Sequence, residues 1–154
     1  MCKHKMLFLA LLFCFRGLAS QGQSSPIKVE IKVAQTSVKD NEAFSVSTEL
    51  RNTGQEEKLL QVWSCSYPWQ WETDNSSVHV NQVDCLRNTL FKVRLKVGET
   101  YERSVSVRVE LAPGEGHPES VTFRLGFQDA PPETGSTTMS PPIWSNAVTV
   151  SVTP

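Results

Sequence analysis

The chain has 154 residues, one-fifth of them charged, and a formal net charge of −1. It contains no basic cluster, which excludes the electrostatic footprint of a nucleic-acid binder and of a polybasic membrane tether. A length of this order suits one domain with a real hydrophobic core.

Residues 1–20 read as a secretory leader. Lys3, His4 and Lys5 form a basic start, Met6 to Phe15 is an apolar run, Arg16 interrupts it, and small residues come next in GLAS. That order is the order of a signal peptide, with cleavage after Ala19 or Ser20. The apolar run is half the roughly 20 residues a spanning helix needs. Phe13 is too bulky to precede a lipidated Cys14. Cleavage removes three of the fifteen bases and none of the sixteen acids, which leaves residues 21–154 with a net charge of −4. No later apolar stretch approaches spanning length, so no membrane span is expected in the mature chain. The expected location is periplasmic or extracellular.

Alternation with period two dominates the mature chain. In IKVEIKV, Ile27, Val29, Ile31 and Val33 face one way and Lys28, Glu30 and Lys32 the other. FSVSTEL sets Phe44, Val46 and Leu50 against Ser45, Ser47 and Glu49. In KLLQVW, Leu60 and Val62 form the better core face, which puts Trp63 outside or at a sheet edge. FKVRLKV turns Phe91, Val93, Leu95 and Val97 inward, SVSVRVEL does so with Val105, Val107, Val109 and Leu111, and VTFRLGF with Val121, Phe123, Leu125 and Phe127. VTVSV closes the chain with Val148, Val150 and Val152 inward. Turn chemistry separates these runs at 39–42, 52–57, 97–99 and 112–119. No window of a dozen residues carries a helical period. The pattern predicts an all-β protein, an immunoglobulin-like antiparallel β-sandwich of about seven to nine strands in a single domain, 21–154.

Within that frame VWSCSYPWQWETDN, residues 62–75, concentrates three of the four tryptophans. Cys2 and Cys14 leave with the leader, so Cys65 and Cys85 are the mature cysteines and are expected to pair. The bridge closes a loop of about twenty residues, worth roughly 3 kcal/mol in the chain-entropy account. The spacing is too short for the bridge between the two sheets of an antibody domain. Pro68 bars a regular central strand, and Trp69 and Trp71 share one side if the backbone is extended. Two readings stay open: an aromatic cap on the core, or an exposed ledge made with Trp63 and Tyr67 that binds a partner. Residues 129–142 hold four prolines and no period, and read as an exposed loop.

No catalytic motif is present: no HExxH, GxSxG, GxGxxG or P-loop pattern occurs. Glu72 and Asp74 read as solvated acids, and GEGH at 114–117 as a loop. His79, His117 and Met139 are too scattered to ligate a metal. No cofactor and no metal are expected, and the chain is not expected to be an enzyme. Asn75-Ser76-Ser77 fits the acceptor for N-glycosylation in a eukaryotic source.

AFSVSTELRNTGQEEKLL resembles the strand–NTG–strand opening of extracytoplasmic Ig-like modules. LKVGETYERSVSVRV resembles their strand–glycine-glutamate turn–strand. The aromatic stretch between them is similar in placement to the tryptophan-containing segment of BsuPI-like proteinase-inhibitor domains. The resemblance covers residues 42–109, and this chain departs from it by adding Cys65, Cys85 and the proline-rich loop. It implies an Ig-like sandwich, and no reactive-site residue carries over. The expected function is a non-catalytic binding module for a protein partner, contacting it through Trp63, Tyr67, Trp69 and Trp71. The alternatives are inhibition of an extracellular or periplasmic protease, and glycan binding.

Overall fold

The computed structural model describes residues 25–83, 85–111, 120–130 and 139–154. The stretch 1–20 read above as a leader, the stretch 112–119 read above as a turn with GEGH, and the middle of the proline-rich segment lie outside the described residues. In chain order the strands are β1 (Ile27–Val33), β2 (Ser37–Lys39), β3 (Ala43–Asn52), β4 (Lys58–Trp63), β5 (Trp71–Thr73), β6 (Val78–Val80), β7 (Leu90–Leu95), β8 (Thr100–Val109), β9 (Ser120–Phe123), β10 (Leu125–Phe127), β11 (Ile143–Trp144) and β12 (Val148–Thr153). One 3₁₀ turn, Tyr67–Gln70, stands between β4 and β5.

The protein is an all-β sandwich. One sheet has the order β1-β3-β8-β6, antiparallel throughout. Among the described residues three smaller sheets accompany it: β2-β12-β9, in which β2 runs parallel to β12, then β11-β10-β5, then the two-stranded ribbon β4-β7. They succeed one another along a single chain segment. β9 and β10 are separated by Arg124 alone. Beyond β10, Gln128 N–H donates to Gln70 O (2.8 Å) and Ala130 N–H to Gln61 O (3.2 Å), which carries the layer on to β4.

The alternation builds the core. In β3 the inward set is Phe44, Val46, Thr48 and Leu50, and in β8 it is Val105, Val107 and Val109, with Val46 directly opposite Val105. Phe123 of β9 meets Phe44 edge to face, ring centroids 6.3 Å apart. Such contacts join the layers, and burying each large side chain contributes about 1.5–3 kcal/mol. Asn52, fully buried at the end of β3, donates to Glu56 O (2.8 Å) and Leu95 O (2.9 Å) and accepts from Gly54 N–H (3.0 Å). One amide thereby fixes both the loop after β3 and the end of β7. The turn between β7 and β8 uses Gly98 at φ 81°, where a side chain is disfavoured.

Three expectations need correction. Twelve strands form among the described residues, more than the seven to nine read from the pattern, because β2, β5, β6 and β11 are too short to show a period. The run 121–127 breaks at Arg124, and Gly126 is buried beneath Trp144 and Pro142: a Cβ there would lie 2.9 Å from the Pro142 side chain. Phe91 is 51% exposed and Val97 is exposed too. Phe91 sits on the same side of the ribbon as buried Val62, but β7 is the outer strand of that ribbon, and among the described residues no strand pairs beyond it. Val97 falls in the turn after β7 ends.

Candidate binding surface

The aromatic stretch divides into two faces because Pro68 starts a 3₁₀ turn. Proline's fixed φ suits the first helical positions, and Trp69 N–H donates to Ser66 O (3.0 Å). In 3₁₀ geometry residues three apart eclipse, so Tyr67 and Gln70 share the inward side and Trp69 points out. Tyr67 is 1% exposed, Gln70 fully buried and Trp69 47% exposed. Trp71 begins β5 and is 2% exposed. Of the two readings left open, the i,i+2 ledge of Trp69 and Trp71 is therefore overturned, and Tyr67 and Trp71, buried as a cap on the core, leave the contact surface. The extended backbone that reading assumed is replaced by a tighter turn of period three.

The buried side is a braced floor. Tyr67 packs edge to face on Trp71 (5.7 Å) and Tyr101 (6.4 Å), and Trp71 packs on Phe127 (5.2 Å). Thr48 Oγ1 donates to Arg103 O (2.9 Å), so its bond with Tyr67 Oη (3.1 Å) has the phenol as donor. Burial pushes the Tyr67 phenol well above its ordinary pKa. The Arg103 guanidinium lies 4.4 Å over the Tyr67 ring and donates to Trp63 O (3.2 Å) and Ser64 O (2.9 Å). Gln70 completes the floor. Its Oε1 accepts from Trp63 N–H (2.8 Å), and its Nε2 donates to Gln61 O (2.9 Å) and Gln128 O (3.1 Å). A side-chain amide here replaces a missing neighbour strand along β4.

The outward side is stapled. Cys65 and Cys85 form a disulfide with Cα atoms 5.9 Å apart, joining the segment after β4 to the segment before β7. Ser64 N–H donates to Thr89 O (2.8 Å) and Thr89 N–H to Ser64 Oγ (2.9 Å). Trp69 Nε1 donates to Val83 O (3.4 Å). Beside this staple Trp69, Val83 and Leu86 are large apolar side chains left exposed, and farther along the chain Phe91 is exposed on β7. Trp63 is half-buried on the outer face of the ribbon, opposite Leu90. Sequence reasoning missed Val83, Leu86 and Phe91 as surface groups. Their only signal is position beside Cys85 and at the start of the last strand of a sheet.

The remaining candidates have structural work. Asp74 accepts from Arg124 N–H (2.7 Å) and Nε (2.8 Å). Desolvation would raise its carboxyl, but these bonds and the Arg124 charge hold it below the ordinary range. Asn75 Nδ2 donates to Thr122 O (2.9 Å) and its Oδ1 accepts from Ser77 N–H (2.9 Å), so the amide braces the turn into β6. The proline-rich loop is closed at its base. Asp129 N–H donates to Ser140 Oγ (2.7 Å), Asp129 Oδ1 accepts from Gln61 N–H (2.7 Å), and Ala130 is buried, so the described ends of the segment are anchored. Burial raises the Asp129 carboxyl, opposed by the N–H groups of Gln61 and Ala130. Among the described residues no three His, Cys, Asp or Glu side chains group around a point that a metal would occupy, and no helix is long and apolar enough to cross a membrane. No protein-family model matches the chain, and no curated protein is significantly similar to it.

Proposed function

We propose that this chain is a non-catalytic exported binding module that engages a protein partner through the disulfide-stapled end of the β4–β7 ribbon. The observation that carries the reading is the exposure of Trp69, Val83 and Leu86 beside the Cys65–Cys85 clamp, with Trp69 Nε1 bonded to Val83 O and Leu86 next to Cys85. A bridged pair of cysteines suits an oxidising compartment outside the cytosol. Apolar side chains held on a rigid frame lose little entropy on binding, which favours them as anchors. Trp69 is the central contact, Trp63 borders it, and Tyr67 and Trp71 support it from below.

The test is capture from the extracellular fluid of the protein's source on immobilised mature chain. A partner retained by the natural chain is expected to be lost by Trp69→Ala/Leu86→Asp, with the urea unfolding midpoint changed little. Equal retention by that variant would overturn the assignment of this surface.

A further inference from the structure

One edge of β7 is bare. Thr89 exchanges hydrogen bonds with Ser64, so its backbone faces β4. Successive residues of a strand alternate in this respect. Phe91, Val93 and Leu95 therefore bond toward β4, and the N–H and C=O groups of Leu90, Lys92 and Arg94 point away from it. The same phase holds on the other strand: Gln61 and Trp63 direct their backbone away from β7, where Asp129, Ala130 and Gln70 meet them. Among the described residues nothing bonds to the backbone of Leu90, Lys92 or Arg94. An open row of alternating donors and acceptors is a template for one more strand.

The side chains of β7 specify what that strand carries. Lys92 and Arg94 are exposed on the outer face, and Arg94 holds Glu57 at 3.0 Å in a solvent-exposed ion pair. Phe91 and Val93 lie on the opposite face, and neither is buried. An added strand places its own residues alternately beside these two sets, so acids alternating with apolar residues match it. A second copy of the chain matches poorly. Antiparallel self-pairing centred on Lys92 sets lysine against lysine and Leu90 against Arg94, and like charges directly opposite destabilise a ladder. We infer that β7 accepts an extended acidic segment of the partner protein, with alternating acidic and apolar side chains, as an added β-strand. The inference rests on the binding reading above and names the chemistry of its partner.

The probes are an acetylated peptide of sequence TEVEVET, its lysine counterpart TKVKVKT, and two versions of the first N-methylated at one or the other alternate set of residues. Each is titrated into mature protein by fluorescence anisotropy at low salt. TEVEVET is expected to bind at least about tenfold tighter than TKVKVKT, and one N-methylated version is expected to lose binding by a similar factor. Lys92→Pro removes an outward N–H and leaves the bonds to β4 in place, as proline is tolerated at such edge positions. It is expected to weaken TEVEVET at least about tenfold. If that variant fails to fold, Lys92→Glu serves instead and is expected to shift preference toward TKVKVKT. The inference is overturned by no binding of TEVEVET up to about 1 mM, by equal binding of both N-methylated versions, or by a self-dimer that Lys92→Pro disperses. Partner capture that depends on Trp69 and Leu86 but survives Lys92→Pro would sink strand addition and leave the binding surface standing.

Discussion

The two edges of the β4–β7 ribbon are built from the same kind of backbone and treated in opposite ways. Along β4, every outward group at Gln61 and Trp63 that lacks a neighbour strand is met: Gln70, Asp129, Ala130 and Arg103 supply donors and acceptors at 2.7–3.2 Å. The far edge of the other sheet shows the same device, where Asn146 accepts from Ile31 N–H (2.8 Å) and donates to Ile31 O (3.1 Å). Along β7 no such cover is present among the described residues. Buried backbone groups must be paired, because each one left unmade costs about 1–3 kcal/mol. The β4 edge lies beside the core and has to be closed. The β7 edge meets water, so leaving it open costs little and keeps it available.

The buried side of the aromatic stretch is where this contrast breaks most visibly. Trp71→Ala is expected to lose about 4 kcal/mol of unfolding free energy, while Trp69→Ala, on the outward side of the same stretch, changes it by under about 1 kcal/mol. Urea denaturation of the two variants measures both. Gln70→Ala removes part of the cover from β4 and strands two backbone groups, Trp63 N–H and Gln128 O, for which about 3 kcal/mol is expected in the same assay. Replacing both Cys65 and Cys85 by alanine is expected to cost about 3 kcal/mol through the freed loop. It should also make the amide protons of residues 83–91 exchange faster, which hydrogen exchange reads directly.

Two carboxylates sharpen the comparison through pH. Asp129 at the closed edge has a raised pKa, so the folded state holds a proton that the unfolded chain has already released. Stability then falls as pH rises from the ordinary carboxylate range through the native value. Asp129→Asn keeps the acceptor for Gln61 N–H and is expected to abolish that fall. Asp74 has a lowered pKa. Its contribution is present above the ordinary carboxylate range and is lost as pH drops through the native value, a slope of opposite sign that Asp74→Asn removes. Urea midpoints measured between about pH 2 and 7 separate the two. The smallest effect is expected at the bare edge. Lys92→Pro should cost under about 1 kcal/mol, whereas Phe91→Pro, one residue away and facing β4, should cost about 3 kcal/mol or more.

The long strands are legible in the sequence because a half-buried sheet needs apolar side chains on every second residue. Ile27–Val33 emerges from that pattern with its bounds intact, β3 and β12 with small shifts at their ends, and β8 starting four residues before the run read for it. The Cys65–Cys85 pair is legible by count, since reading 1–20 as a leader sets Cys2 and Cys14 aside and leaves one pairing. The outward turn of Trp63 comes from the opposite burial of Leu60 and Val62. The roles of Tyr67, Trp69 and Trp71 are not legible, because period two and period three make opposite assignments and Pro68 alone does not choose. The bracing by Gln70, Asn52 and Asn146 leaves no signal either. A glutamine or asparagine becomes a substitute strand only when the fold delivers an unpaired backbone to its side chain, and in this chain those partners lie up to 115 positions away. Local pattern thus determined the fold class, the long strands and the staple. Which aromatic is core, which edge is closed and which is open were decided by the tertiary structure, since each depends on what a distant segment places beside it.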